Sequence, residues 1–161
     1  MIPKLKIIDR GWTKIVKGLA GMKIGKVAAV GVQGSAAGED HGGLTNATLA
    51  AYHEYGGNPN PPERSFLRST MDDNKAKYDK ELEKIAKGIF EGGGTLEGHL
   101  LLLGEQYRAD VIEKIRTSIP PPLSPYTIAQ KKGETTALID TGQLLNSLSV
   151  QVKNFDEVEQ G

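Results

Sequence analysis

The sequence predicts an α+β fold, a small antiparallel sheet packed with helices, including a long antiparallel helical hairpin. Two apolar-periodic stretches, about Thr70 to Phe90 and Thr95 to about Ile119, are separated by little more than Gly92-Gly93-Gly94. Helices joined by so short a link lie antiparallel. Strand-like alternation occurs at Lys23 to Gln33 and again at Leu148 to Val152, each a run that buries one face. At 161 residues the chain makes one domain, residues 1–161, with the hairpin of about 70–119 inserted in an α+β core.

Leu5 to Ile8 reads as a short strand, and Asp9 as the cap of a helix from about Gly11 to Leu19. Trp12, Ile15, Val16 and Leu19 form its apolar stripe, and Gly21 stops it. In the strand that follows, Val30 and Val32 share a face. Ser35 to Thr45 is rich in glycine and poor in apolar residues, which predicts a mobile surface loop suited to contacts between subunits. Asn46 is the expected cap of a short helix, Ala47 to Tyr55.

A stiff elbow comes next. Gly56 and Gly57 close the helix, and Pro61 and Pro62 force extended backbone. In Arg64-Ser65-Phe66-Leu67-Arg68 an extended chain puts Arg64, Phe66 and Arg68 on one face. Phe66 and Leu67 are the expected core anchors, while Arg64 and Arg68 either meet a partner or pair with Glu54 and Glu63 of the same chain.

The first hairpin helix has Tyr78, Leu82, Ile85, Ala86 and Ile89 as its stripe; the second, capped by Thr95, has Leu96, Leu100, Leu103, Tyr107, Val111, Ile115 and Ile119. Leu101 and Leu102 widen the second stripe, predicting burial from more than one side. Pro120-Pro121-Pro122 ends that helix, one helical turn fits Pro125 to Lys132, and Asp140 or Thr141 caps a short helix before the last strand. The acidic tail from Asp156 to Gly161 is expected to fray.

Twenty basic residues balance twenty acidic ones, which argues against a dedicated nucleic-acid binder and makes self-association electrostatically easy. With no cysteine, disulfides and thiolate chemistry are excluded. Met1 to Ile8 is too broken by lysine for a signal peptide, and no apolar run is long enough to span a bilayer. The chain is therefore expected to be soluble and unprocessed, with no membrane contact.

Signals for catalysis are weak. His53-Glu54 lacks the second histidine of a zinc-protease helix, because Gly57 stands in its place. His41 and His99 have no ligand partner at metal-binding spacing. Gly31-Val32-Gln33-Gly34-Ser35 lacks the lysine of a phosphate loop, and no nucleophile elbow is present. Asp72, Asp73, Glu81 and Glu83 are the acids available to a small carboxylate enzyme, the remote alternative. No cofactor is expected.

The blocks Ala50-Ala51-Tyr52-His53-Glu54-Tyr55-Gly56, Pro62-Glu63-Arg64-Ser65-Phe66-Leu67-Arg68 and Leu138-Ile139-Asp140-Thr141-Gly142-Gln143-Leu144-Leu145-Asn146-Ser147-Leu148 together resemble tailed-bacteriophage virion morphogenesis proteins, the neck or tail-completion components of the head–tail junction. In many relatives the Thr-Gly-x-Leu block comes before the aromatic-Gly block, whereas here it follows. The resemblance implies a non-enzymatic structural virion protein, made in the bacterial host cytoplasm, that forms a homo-hexameric ring. Its neighbours would be tail terminator or tail tube proteins on one side and head connector proteins on the other. Double-stranded DNA would pass through the lumen without sequence-specific binding. A tail terminator capping the tube is the alternative within this class. On this reading Tyr52, Glu54, Tyr55, Gly56, Arg64, Phe66, Arg68, Asp140, Thr141 and Gly142 shape the subunit or partner interface.

Overall fold

The computed structural model describes residues 25–40, 42–57, 62–117, 119–131, 136–138 and 142–155. In chain order these form β1 (Lys26–Val32), a 3-10 turn (Gly34–Gly38), α1 (Asn46–Tyr55), α2 (Arg68–Phe90), α3 (Leu96–Arg116), α4 (Pro125–Gln130), α5 (Gln143–Ser147) and β2 (Leu148–Asn154). The fold is α+β, with a two-stranded antiparallel sheet and a long helical hairpin of α2 and α3. The expected strand at Leu5 to Ile8, the helix from Gly11 to Leu19, His41, Asp140, Thr141 and the tail from Asp156 lie outside the described residues.

The register runs from Lys26 opposite Asn154 to Val32 opposite Leu148. Alternation puts Ala28, Val30, Val32, Leu148, Val150 and Val152 on one face and Val27, Ala29, Gly31, Ser149, Gln151 and Lys153 on the other. The apolar face lies on α3, and Gly104 is what lets them touch. A Cβ there would fall 2.4 Å from Val150 Cγ1 and 3.4 Å from Ala28 Cβ, so any side chain would push the sheet off the helix. Gln33 closes the end of the ladder, its amide donating to the carbonyls of Ala29 (2.8 Å) and Ser149 (3.1 Å).

Thr45, rather than Asn46, caps α1, its hydroxyl accepting from the Thr48 N–H at 3.2 Å. Asn46 is fully buried and donates its amide to the Ala36 carbonyl at 2.9 Å. Its backbone N–H is held by the Glu39 carbonyl at 3.0 Å. These ties, with the 3-10 turn and a bridge between Asp40 and Thr45, give order to the stretch expected to be a mobile loop. Thr95 caps α3 as expected, accepting from the Gly98 N–H at 3.1 Å. That helix ends at Arg116, short of the predicted Ile119, which is buried beyond it.

The core comprises Ala50, Phe66, Val111, Ile115, Ile119, Leu138, Leu144 and Leu148. It sits at the C-terminal half of α3, where α1, the elbow, α5 and β2 converge. The distal half of the hairpin is different. Leu82 (45 %), Leu101 (44 %) and Leu102 (69 %) are exposed there, which overturns the expected double-sided burial of Leu101 and Leu102. The sheet meets α3 at Gly104 and α2 packs along another flank; Leu101 lies on the side away from Leu103 and Leu102 borders a shallow depression shared with Glu81 and Ile85 of α2, so neither is covered. No helix among the described residues is long and apolar enough to cross a membrane.

Candidate functional site

The elbow is organised by one carboxylate. Helix α2 begins at Arg68 with Leu67 as its N-cap, a residue whose side chain cannot accept a hydrogen bond. The first N–H groups of any helix need acceptors, and here Glu54 of α1 supplies them from across the turn. Its Oε2 accepts from the backbone N–H of Phe66 and Leu67, each at 2.9 Å. Its Oε1 accepts from the Arg68 N–H at 2.9 Å, the Ser65 hydroxyl at 2.7 Å and Arg68 Nε at 3.0 Å. Glu54 is only 3 % exposed. Burial pushes its pKa up, but the N–H groups of Arg68 and Leu67, the Ser65 hydroxyl and the Phe66 N–H outweigh that and hold the carboxyl below its ordinary value. The negative end also complements the positive N-terminus of α2.

Further ties fix the shape. The Arg64 N–H donates to the His53 carbonyl at 2.7 Å, and Arg64 Nε to the Pro121 carbonyl at 2.9 Å, joining the elbow to the segment after α3. Arg64 is 4 % exposed, and burial lowers its pKa from the usual arginine value. Arg68 bridges Glu54 and Glu63 and lies 4.7 Å over the Tyr55 ring. The Tyr107 hydroxyl donates to the Leu67 carbonyl at 2.8 Å, and burial, then the nearby charges of Glu54 and Asp72, push its pKa up to about 12. Gly56 takes φ 70°, and a Cβ there would lie 3.0 Å from the Glu63 nitrogen; only glycine turns here without strain.

The residues singled out in the sequence therefore divide. Glu54, Arg64 and Phe66 are buried and bonded within the chain, where they build the elbow's shape. Tyr52 is half-buried, and its carbonyl accepts from the Gly56 N–H at 2.9 Å. Tyr55, at 67 % exposure, and Arg68, with half its side chain exposed, are the outward-facing members. Gly142 starts α5 at φ 78°, and α5 brings Leu144 into the core beside Ala50 and Phe66. The three sequence blocks thus meet on a single core.

Sequence reasoning missed Glu54 as the cap of α2. The expected start at about Thr70 hid the need for it, since the helix begins two residues earlier, at Arg68, behind an N-cap leucine. It also missed a groove of about 530 Å³ between α2, α3 and β1, lined by Ala28, Val30, Met71, Leu82, Leu103 and Tyr107, with Asp72, Lys75 and Asp79 at its rim. Asp79 pairs with Lys75 at 2.7 Å; Asp72 has no ion-pair partner among the described residues. No group of three or more His, Asp or Glu residues that could hold a metal ion occurs among the described residues. Compared with known proteins, the chain matches no family model, no curated relative and no solved structure.

Proposed function

We propose that this chain is a structural protein of the phage head–tail junction, a neck or tail-completion component that assembles into a ring through which DNA passes. The observation that carries this reading is how the chain uses its polar groups and where it leaves apolar ones. The carboxylate and guanidinium groups of the elbow hold backbone in place: Glu54 borders a shallow depression with Val32, Ala50 and Leu67, but its two oxygens are taken up by the N–H groups of Phe66, Leu67 and Arg68, the Ser65 hydroxyl and Arg68 Nε. The distal hairpin meanwhile leaves Leu82 exposed on α2 and Leu101 and Leu102 exposed on α3. A rigid corner at one end of the hairpin and uncovered apolar surface at the other suit a subunit that completes its packing in an assembly. The sheet face away from α3 carries Gln151 and Lys153 beside Val27, Ala29 and Gly31, a weakly basic surface of the kind a DNA-conducting lumen tolerates.

The test is deletion of the gene in the phage that encodes it. Heads filled with DNA and separate tails of normal length, together with the chain's presence in wild-type virions, support the reading. Abnormally long tails point to a terminator instead. Absence from virions rejects both.

A further inference from the structure

We propose that successive copies join edge to edge, β1 of one pairing with β2 of the next, so that the two-stranded sheets become continuous around the assembly. This rests on the ring reading and names the surface that closes the ring.

The first observation is which backbone groups are left over. The Phe155 N–H donates to the Gly25 carbonyl, one step beyond the Lys26–Asn154 pair that ends the register, so continuing the ladder sets these two residues opposite each other. Directly opposed residues that exchange hydrogen bonds alternate with residues that do not. The bonded pairs are then Val27–Lys153, Ala29–Gln151 and Gly31–Ser149. The N–H and C=O of Ala28 and Val30 consequently point away from β2, and those of Val150 and Val152 point away from β1. Among the described residues no backbone group pairs with them.

The second observation is that, among the described residues, the middle of these edges carries no guard, and the charge at one end, Lys26, is tied to Glu97. Soluble proteins protect exposed edges with charges, proline or bulges. Here the middle edge positions are Ala28, Val30, Val150 and Val152, and the register runs unbroken for seven residues. A two-stranded sheet is also marginal by itself. The two edges lie on opposite sides of one sheet, so joining them is a head-to-tail contact, which ends only by closing on itself. Residues directly opposed across the new contact share a face, so Ala28 and Val30 would sit beside the next copy's Val150 and Val152 over the helices.

The third observation is charge and shape beneath the edges. Ala28 and Val30 line the groove together with Leu103 and Tyr107, so β1 is the strand on the groove side of α3. Relative to Gly104, Leu103 and Tyr107 are turned about 100° and 60° one way around the helix, while Leu101 and Arg108 are turned about 60° and 40° the other way. The β2 flank therefore presents the exposed Leu101 and the cation Arg108, whose Nε holds Glu105 at 2.8 Å and leaves the terminal guanidinium donors for another acceptor. The groove flank presents Met71 and Leu82, both exposed above 40 %, and Asp72 on the rim. Apolar meets apolar, and Arg108 meets Asp72, which has no ion-pair partner among the described residues. A second copy is the occupant that both flanks fit.

The test uses the full-length chain, with assembly followed by sedimentation velocity and native mass spectrometry and folding by circular dichroism. Ala28→Pro removes an outward N–H and spares the bonds to β2; it should keep the fold and weaken assembly at least about tenfold. Arg108→Asp and Asp72→Arg alone should each weaken assembly about tenfold, and the double variant should recover to within about threefold of wild type. If Ala28→Pro does not fold, the charge exchange decides by itself. Wild-type assembly in the single charge variants, or a double variant no better than either single, overturns the proposal. So does a wild-type chain that never self-associates, or edges that take up only an unrelated extended peptide. None of these outcomes bears on whether the chain is found in virions, so the edge contact can fail while the neck reading stands.

Discussion

Replacing Glu54 by glutamine keeps the side chain's shape and removes its charge. In the native protein its two oxygens accept from three backbone N–H groups, the Ser65 hydroxyl and Arg68 Nε. The amide keeps one acceptor oxygen and turns an NH₂ towards groups that are themselves donors. Hydrogen bonds to a charged acceptor contribute about 1.5–3 kcal/mol each, although Arg68, half exposed, can turn to water. The net loss expected for E54Q is about 2–4 kcal/mol. In urea at pH 7, with an m-value of about 2 kcal/mol/M, the midpoint falls by about 1–2 M. The pH dependence tests the cause. Glu54 titrates below its ordinary value when folded and near about 4.3 when unfolded. Its stabilisation is therefore complete above the unfolded value and is lost as pH falls through the folded one. Glutamine does not titrate, so the gap between wild type and E54Q is widest at neutral pH and closes under acid. A loss below about 0.5 kcal/mol at pH 7, or a gap that stays constant into strong acid, refutes the carboxylate clamp.

Gly104→Ala should destabilise by about 1–3 kcal/mol in a thermal melt, because its Cβ would overlap Val150; in an uncrowded helix the same change stabilises by about 1 kcal/mol, so even the sign is informative. Gly56→Ala should cost about 1–3 kcal/mol by denaturant titration, since alanine must adopt φ 70° against the Glu63 backbone. Phe66→Ala, at a fully buried position, should cost about 3–5 kcal/mol by the same titration. Leu102→Ser should shift the melt of the isolated chain by no more than about 0.5 kcal/mol, because the side chain is already in water.

Local chemistry was the most legible part of the sequence. The triple glycine and Thr95 located the hairpin turn, and alternation located both strands, because these signals act within a few residues. Phe66 was recognisable as a core anchor from its place in an alternating apolar run. What stayed hidden depends on residues distant in sequence. Glu54 and the start of α2 lie on either side of a turn, and nothing in a helical segment ending in Tyr55 announces that its glutamate caps the next helix. Arg64 reaches the Pro121 carbonyl, 57 positions along the chain, and Gly104 is glycine because of Val150. Leu101 and Leu102 misled for the same reason: an apolar run in a helix predicts burial, but only the placement of the sheet decides which side is covered. The groove was illegible because its walls come from three separate elements.

The most direct test of the central claim is a projection image of the purified full-length chain at assembling concentration. The account predicts closed rings with an open lumen wide enough for duplex DNA. A population of single subunits, each turning over a small molecule in the groove beside Asp72, would contradict it.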